Sequence, residues 1–357
     1  MRIAFFGSSL VSAYWNGAAT YYRGIIRALH ELGYAVTFYE PDAYGRQEHR
    51  DIDDPSWAHV VVYDNSADGL DRALDSARGA DVVVKASGVG VFDRELEAAV
   101  LDRADATLAV FWDVDAPATL DRLGGDPADP FHALIPKYDL VLTYGGGDPV
   151  CRAYRAFGAR ECVPIYNALD PATHYPVPPD LRFAGDLAFL GNRLPDREAR
   201  VDDFFLSAAR VLSDRRFVLG GSGWDDKPLG QNVHYVGHVY TADHNAFNCT
   251  PTAVLNISRD SMARYGFSPA TRVFEAAGAG ACLITDAWEG VDTFLEPDRE
   301  VLVARDGGEV ANHLCRLTRS RAREIGAAGR ARVLASHTYA HRAAEVSRLL
   351  QGRMVAA

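Results

Sequence analysis

The residues best suited to chemistry lie in a short stretch that begins at Ser268 and Pro269. Serine is a preferred N-cap and proline is common at the first helical position, so this pair predicts the start of a helix. Thr271 and Arg272 then fall in the first turn. Because the free N–H groups and the dipole of a helix N-terminus favour an anion, we expect these residues to bind a phosphate group.

Glu275 follows one turn further along the same face of this helix. The path from Ser268 to Glu275 is about 10 Å, which matches the reach from a diphosphate to the hydroxyls of its ribose. A carboxylate that accepts hydrogen bonds from two vicinal hydroxyls gives strong, directional binding. The alternative is a surface Glu275 that pairs with Arg272. Apolar neighbours such as Val273 and Phe274 favour a position at the edge of the core, and with it the ribose role.

A glycine-rich loop directly follows a predicted strand and contains Gly221, Gly223 and Trp224. Glycines let the backbone approach a ligand closely and adopt positive φ, and the indole could cover a base or a sugar. The loop lacks the G-x-G-x-x-G spacing of a dinucleotide site, so a purely structural turn is the alternative. Gly237 and His238 follow the next strand, where their backbone groups could meet the base.

Arg193 follows the first predicted strand of the second half of the chain. At a strand end it could clamp a diphosphate, and a solvated arginine is the alternative. The C-terminal half contains no evident Asp-x-Asp metal loop, so we expect positive charge and a helix dipole to stabilise a leaving diphosphate without a metal.

The N-terminal half offers a different set of strand ends. Ser8 lies in the turn after the first strand, and Trp15 and Asn16 precede the first helix, so these three are candidate residues of an acceptor-binding edge. Asp113 and Asp115 follow another strand. Either could act as a general base for an acceptor hydroxyl, and we favour Asp113 for chemistry and Asp115 as a helix N-cap. A metal site at this pair is the less favoured interpretation.

Short apolar, β-branched runs alternate with segments of helical period along the whole chain, which predicts parallel strands joined by helical crossovers. The proline-rich stretch from Tyr166 to Asp186 separates two such halves and is the best linker candidate. The predicted fold class is therefore α/β, with two doubly wound domains. The predicted strands are Ile3–Phe6, Ala35–Tyr39, His59–Tyr63, Asp81–Lys85, Ala106–Phe111, Leu140–Thr143, Glu161–Pro164, Leu187–Leu190, Phe217–Leu219, His234–Val236, Ala253–Ile257, Cys282–Thr285 and Val301–Val303.

Composition excludes several classes of function. A formal charge of −11 disfavours sequence-independent binding of nucleic acid, which needs a cationic surface. The five cysteines form no C-x-x-C pair, which argues against a zinc site or a disulfide framework. The N-terminus resembles a buried strand more than a secretory signal, and no apolar run is long enough for a membrane span. We therefore expect a cytoplasmic protein.

The run Thr271 to Asp286, with Glu289, Phe294, the segment 300–304 and the tail 337–342, resembles the C-terminal half of CgeB-like GT-B glycosyltransferases. The resemblance covers residues 185–350 well. It implies two Rossmann-like domains facing across a cleft: an acceptor domain over 1–170, a nucleotide-sugar domain over 171–335, and a C-terminal helix over 336–357 that could cross back to the first domain. It also implies a nucleotide-diphosphate sugar as the donor and a small molecule, natural product or glycan as the acceptor.

The chain departs from the broader group at one position. Retaining GT-B enzymes often carry two glutamates eight positions apart; Glu275 matches the second, whereas Phe267 stands at the first. The stereochemical outcome therefore stays open. A glutamate that binds both ribose hydroxyls favours UDP or GDP over dTDP, and we favour UDP. A nucleotide-sugar epimerase and a catalytically inactive sugar-nucleotide-binding protein are the alternatives, whereas glycine spacing disfavours a NAD-dependent dehydrogenase.

Overall fold

The computed structural model describes residues 1–14, 16–102 and 108–354, with the side chain of residue 196 left out. The chain divides into two compact units: unit 1 comprises Met1–Asn167 and Tyr339–Ala357, and unit 2 comprises Ala168–Thr338. The first boundary falls within the proline-rich stretch that the sequence singles out as a linker. No helix among the described residues is long and apolar enough to cross a membrane.

Unit 1 contains a seven-stranded sheet, within the described residues, whose paired strands all run parallel in the order β3-β2-β1-β4-β5-β6-β7. Strands β4 and β5 are buried along their full length, as expected for strands with helices on both faces of a parallel sheet. The strands are β1 (Arg2–Phe6), β2 (Ala35–Pro41), β3 (His59–Tyr63), β4 (Val82–Ala86), β5 (Leu108–Asp113), β6 (Leu140–Thr143) and β7 (Cys162–Pro164).

The helices of unit 1 alternate with these strands. They are α1 (Ala19–Glu31), α2 (Ala67–Ser76), α3 (Asp93–Asp102), α4 (Ala116–Gly125), α5 (Phe131–Leu134) and α6 (Gly147–Ala156). Helix α1 buries one stripe that includes Tyr21, Ile25 and Leu29, and it ends just before Gly33, whose φ of 86° suits a residue without a Cβ.

Unit 2 repeats the same architecture with a six-stranded parallel sheet, among the residues described, in the order β10-β9-β8-β11-β12-β13. The order reverses between β8 and β11, and ligands of open α/β sheets bind outside the carboxyl ends of the strands at such a switch point. The strands are β8 (Leu187–Leu190), β9 (Phe217–Gly220), β10 (Val233–Gly237), β11 (Ala253–Asn256), β12 (Leu283–Asp286) and β13 (Leu302–Ala304).

The helices of unit 2 cover both faces of its sheet. They are α7 (Pro195–Val201), α8 (Ser207–Val211), α9 (His244–Cys249), α10 (Asp260–Tyr265), α11 (Thr271–Gly278), α12 (Val291–Phe294), α13 (Gly307–Arg316) and α14 (Arg319–Ser336). A π-helical turn, Asp202–Leu206, joins α7 to α8 and buries two phenylalanines in the core of this unit. Every strand that the sequence predicts is present among the described residues, with its described ends shifted by at most two residues. Ala106, where the fifth predicted strand begins, lies outside the described residues.

The last helix, α15 (Tyr339–Met354), belongs to unit 1 and packs against α1. A Cβ on Gly24 would come within 2.2 Å of the Tyr339 ring, so only glycine allows this close approach. A hydrogen bond of 2.7 Å between the hydroxyls of Tyr34 and Ser347 fixes the other end of the contact.

Candidate nucleotide-sugar site

Helix α11 begins at Thr271, with Ala270 in the N-cap position, so the helix starts later than the sequence predicts. Ser268 is not the cap: its hydroxyl donates to the carbonyl of Gly266 at 2.8 Å. The reason lies in the backbone, because Gly266 and Phe267 both adopt positive φ, at 67° and 44°. The chain turns sharply there, and helical geometry begins at Thr271, two residues later than predicted. Thr271 and Arg272 still occupy the first turn.

A cavity of about 320 Å³ opens where β8, β9, β10 and β11 end and α11 begins. Five of the residues predicted from the sequence line it together: Gly221, His238, Thr271, Arg272 and Glu275. The other lining residues are Phe189, Leu190, Gly191, Asn192, Arg197, Val239, His244, Asn256, Ile257 and Ala270. The cavity therefore lies outside the carboxyl ends of the strands, at the switch point between β8 and β11.

Glu275 lies deep in this cavity, with 12% of its side chain exposed. Its Oε1 is 3.9 Å from Nε2 of His174, which is itself buried. Burial acts to raise the pKa of Glu275, but His174, Arg272 and His244 outweigh it, and the pKa lies below its usual value. The Glu275 carboxyl is therefore ionised at neutral pH and able to accept hydrogen bonds from hydroxyls.

Two basic side chains flank this carboxylate. Burial lowers the pKa of Arg272, with the Glu275 charge acting in the opposite direction, and its Nη1 lies 3.5 Å from Oδ1 of Asn248. Burial and the Arg272 charge lower the pKa of His244 to about 4, so that imidazole is neutral at pH 7. The cavity thus combines one anionic group, for a hydroxyl-bearing ligand, with a guanidinium at the helix N-terminus, for an anionic one.

The glycine-rich loop makes a close backbone contact with the end of β8. Gly221 has a φ of 116°, and a Cβ there would lie 2.3 Å from the carbonyl oxygen of Gly191. The amide of Gly221 donates to the carbonyl of Gly237 at 2.8 Å, and the amide of Gly191 donates to Gly220 at 3.0 Å. Gly237 also has positive φ, at 73°. These contacts hold the ends of β8, β9 and β10 close together around the cavity.

Trp224 does not face the cavity. Its side chain is fully buried, and its indole N–H donates to the carbonyl of Gly191 at 2.8 Å. It therefore anchors the loop from inside the core instead of covering a base or sugar. A Cβ added to Gly223, whose φ is 87°, would lie 3.3 Å from the Cβ of Arg193.

Arg193 is paired within the protein. Its guanidinium contacts Glu198 at 2.8 Å and Asp226 at 2.7 Å, and these carboxylates compete with any diphosphate for it. Arg197, at the start of α7, lines the cavity together with Arg272. Sequence reasoning missed Arg197, as it missed His174 and His244. The position of Arg197 soon after the end of β8 was an available signal, whereas the two histidines are far from Glu275 in sequence.

The candidates in unit 1 form hydrogen-bonded clusters. Ser8 donates to the side-chain oxygen of Asn16 at 2.9 Å, and the Asn16 amide donates to the carbonyls of Ser9 and Ser12 at 2.8 and 3.0 Å. Trp15 lies outside the described residues. Ser8 and Asn16 thus stabilise the loop between β1 and α1.

Asp113 is fully buried at the end of β5. Its Oδ1 accepts from the hydroxyl of Ser87 at 2.7 Å and from the amide of Asp115 at 2.9 Å. Thr119 is a third donor, at 3.2 Å, and the hydroxyl of Tyr154 donates to the other carboxylate oxygen. A carboxylate with four donors and no exposed surface resembles a structural anchor more than a general base. Asp115 precedes α4 but makes no side-chain cap hydrogen bond.

Comparisons with known proteins agree with this architecture. Residues 197–348 match the model of a family described as glycosyl transferase-like. Sucrose-phosphate synthase from Thermosynechococcus elongatus superposes with a TM-score of 0.73 at 14% identity, covering 100% of both chains. HepE from Anabaena, in complex with UDP-glucose, gives 0.67 at 14% identity over 99% of this chain and 100% of its own. A trehalose-6-phosphate protein of E. coli, bound with UDP-2-fluoro glucose, gives 0.68 at 12% identity over 98% and 99%.

No curated protein matches the sequence. The expected fold class is confirmed by the two parallel sheets and by these structures. The chain therefore has the GT-B fold, and residues 197–348 carry a glycosyl transferase-like sequence on it.

Proposed function

We propose that this enzyme transfers a sugar from a UDP-sugar to a hydroxyl or amine of an acceptor, and that unit 2 binds the donor. The observation that carries the proposal is the arrangement along α11. Thr271 and Arg272 lie at its first turn and Glu275 lies one turn deeper, all lining one cavity. A turn of helix spans about 5.4 Å, which suits a ligand whose anionic and diol groups are neighbours, as in a nucleoside diphosphate.

Each part of the donor has a matching group in the cavity. The Glu275 carboxylate would accept from the two ribose hydroxyls, and a sugar nucleotide with both hydroxyls is therefore favoured over a dTDP-sugar. The amides of the first turn, with Thr271 and Arg272, would donate to the diphosphate. The backbone around His238 and Val239, at the end of β10, would meet the base. Two of the solved structures of this fold hold UDP-glucose or its fluoro analogue, which supports UDP as the nucleotide.

The leaving diphosphate needs positive charge as the glycosidic bond breaks. Arg272 and Arg197 both line the cavity, and the dipole of α11 adds to their effect. Preorganised charges in a partly desolvated site stabilise a developing anion without reorganisation. We therefore propose that transfer proceeds without a metal ion. Arg193 is paired with two carboxylates and would stabilise the loop after β8 instead of binding the diphosphate.

We further propose that the chain is a CgeB-like transferase, on the strength of the run from Thr271 to Asp286 and the tail at 337–342. Unit 1 would bind the acceptor, a small molecule, natural product or glycan. The loop that contains Ser8 and Asn16 is the candidate edge of that site, because it follows the carboxyl end of β1.

The experiment has two arms. In the first, UDP, GDP and dTDP are titrated into the full chain by calorimetry, and we expect UDP to bind most tightly. In the second, UDP-glucose, UDP-galactose and UDP-N-acetylglucosamine are incubated with the enzyme and followed by release of UDP and by analysis of the recovered sugar. Without an acceptor we expect slow release of UDP and free sugar by transfer to water; an acceptor should accelerate the release of UDP and carry the sugar in its product. Recovery of an epimerised donor would overturn the transferase assignment, and tight binding with no turnover by any donor would identify an inactive binding protein.

A further inference from the structure

Three side chains of metal-binding type lie close together in unit 2, and one of them is the carboxylate assigned above to the ribose. They are His174 from the proline-rich segment, His244 from the start of α9, and Glu275 from α11. One ligand atom from each lies within 4.8 Å of the other two. Three separate segments of the chain thus bring two imidazoles and one carboxylate together in a mostly buried place.

This donor set suits a divalent transition metal. Two histidines and one glutamate form the protein ligands of several zinc sites, with a fourth position taken by water or substrate. Bonds of about 2.1 Å place tetrahedral ligand atoms roughly 3.4 Å apart, so the three side chains need to approach by about 1 Å. Rotation about side-chain bonds provides a movement of that size.

The outer contacts of the two histidines orient them for such a role. Nδ1 of His174 lies 3.0 Å from the hydroxyl of Thr173, which leaves Nε2 directed at Glu275. Nε2 of His244 lies 3.3 Å from the carbonyl of Val239, which leaves its other ring nitrogen for a ligand. Metal-ligating histidines almost always use their second nitrogen in this way.

We propose that His174, His244 and Glu275 bind Zn²⁺ or a similar late first-row divalent ion, with water in the fourth position. Because the ion takes the Glu275 carboxylate, it competes with the ribose of the nucleotide and inhibits the enzyme. The competition rests on the proposed function, whereas metal binding itself does not. Such a site is compatible with metal-independent transfer, since the ion occupies the donor site in place of the donor.

Arg272 should affect the binding of the metal ion and of the nucleotide in opposite directions. It precedes Glu275 by three residues on α11 and lines the same cavity as His244 and Glu275, so its positive charge repels a dication bound between them. The same charge attracts a diphosphate. Replacing Arg272 with methionine, which keeps the apolar stem, should therefore tighten metal binding and weaken UDP binding.

The test uses the full chain, freed of metal with a chelator, and Co²⁺ as a visible probe that Zn²⁺ then displaces. We expect one Co²⁺ per chain, with the absorption bands of a four-coordinate site. His174→Gln and His244→Gln should each weaken Co²⁺ binding by at least about tenfold, whereas His234→Ala, at an exposed histidine of β10, should not. Thermal melting of each variant shows whether it is folded, and glutamine keeps a polar group at the buried His174 position.

The second arm titrates UDP with and without saturating Zn²⁺. We expect Zn²⁺ to raise the apparent Kd of UDP at least tenfold in the wild type and less in His244→Gln. For Arg272→Met we expect several-fold tighter Zn²⁺ and several-fold weaker UDP. Metal binding that survives both histidine variants, or UDP binding unaffected by Zn²⁺, would overturn the proposal. Metal binding by the three residues in a chain with no affinity for UDP would instead refute the proposed function and leave the metal site in place.

Discussion

Oε1 of Glu275 and Nε2 of His174 lie 3.9 Å apart, although the two residues come from distant parts of unit 2. His174 is among the groups that lower the pKa of Glu275 in a mostly buried position. The contact therefore favours the ionised form of the Glu275 carboxyl, whereas burial alone would favour the neutral form. A carboxylate that lines the cavity beside two imidazoles is the basis for the ribose assignment and for the metal site.

Substitutions at Gly221 and Gly237 separate two reasons for glycine beside the cavity, which are a positive φ and a close backbone contact. Gly221→Ala combines positive φ with a Cβ 2.3 Å from a backbone oxygen, so it should destabilise the protein by about 3 kcal/mol or more. Gly237→Ala has positive φ, but no atom lies within 4 Å of the added Cβ, so it should cost only about 1–2 kcal/mol. Urea denaturation measures both.

Gly124→Ala is the control for this series, because Gly124 lies in α4 at an ordinary φ with open space around it. Alanine should be neutral there or stabilise the helix by up to about 1 kcal/mol. Equal losses of stability at Gly221 and Gly237 would show that strain in φ, not the contact with Gly191, explains the loop.

Two arginines that follow β8 should differ in their effect on binding of the diphosphate. Arg197→Ala should weaken UDP binding by roughly tenfold or more, since charge-assisted hydrogen bonds contribute about 1.5–3 kcal/mol. Arg193→Ala should change UDP affinity little, because its guanidinium is already paired with Glu198 and Asp226. Calorimetric titration compares the two.

Uridine is the ligand control for the arginine pair, because it has no phosphate. Arg197→Ala should leave uridine binding unchanged. An equal loss of UDP affinity in both variants, or an equal loss for uridine and UDP in Arg197→Ala, would show that Arg197 does not contact the diphosphate.

Asp113 should act on stability rather than on proton transfer. Asp113→Asn replaces an acceptor of four hydrogen bonds with a group that must also donate, so unfolding free energy should fall by about 2–4 kcal/mol. Thermal melting and donor hydrolysis without acceptor are the measurements. If the variant were fully stable, still hydrolysed the donor and no longer transferred sugar, Asp113 would be the catalytic base.

The sheets are predictable because their strands are buried on both faces and separated by helices. Runs such as Val82–Ala86 consist almost wholly of β-branched or apolar residues, and the flanking turns mark their ends. The pocket-lining residues Gly221, Thr271 and Glu275 follow from the same logic, because each comes after a strand or lies on the helix after it.

The remaining features depend on tertiary contacts that sequence patterns do not contain. Ser268 resembles a helix cap, but positive φ at Gly266 and Phe267 moves the helix start to Thr271. Trp224 looks available for a ligand until its burial is seen. His174 and Glu275 meet only in the folded unit.

The central claim is that Glu275 binds the ribose of UDP, and 2′-deoxy-UDP tests it most directly. In calorimetric titrations the wild type should prefer UDP over 2′-deoxy-UDP by roughly ten- to a hundredfold, the value of one hydrogen bond to a charged acceptor. Glu275→Ala should bind both ligands with nearly equal, weakened affinity, whereas Glu296→Gln, at an exposed position, should retain the preference. A wild type that does not distinguish the two ligands, or a Glu275→Ala variant that still does, would contradict the account.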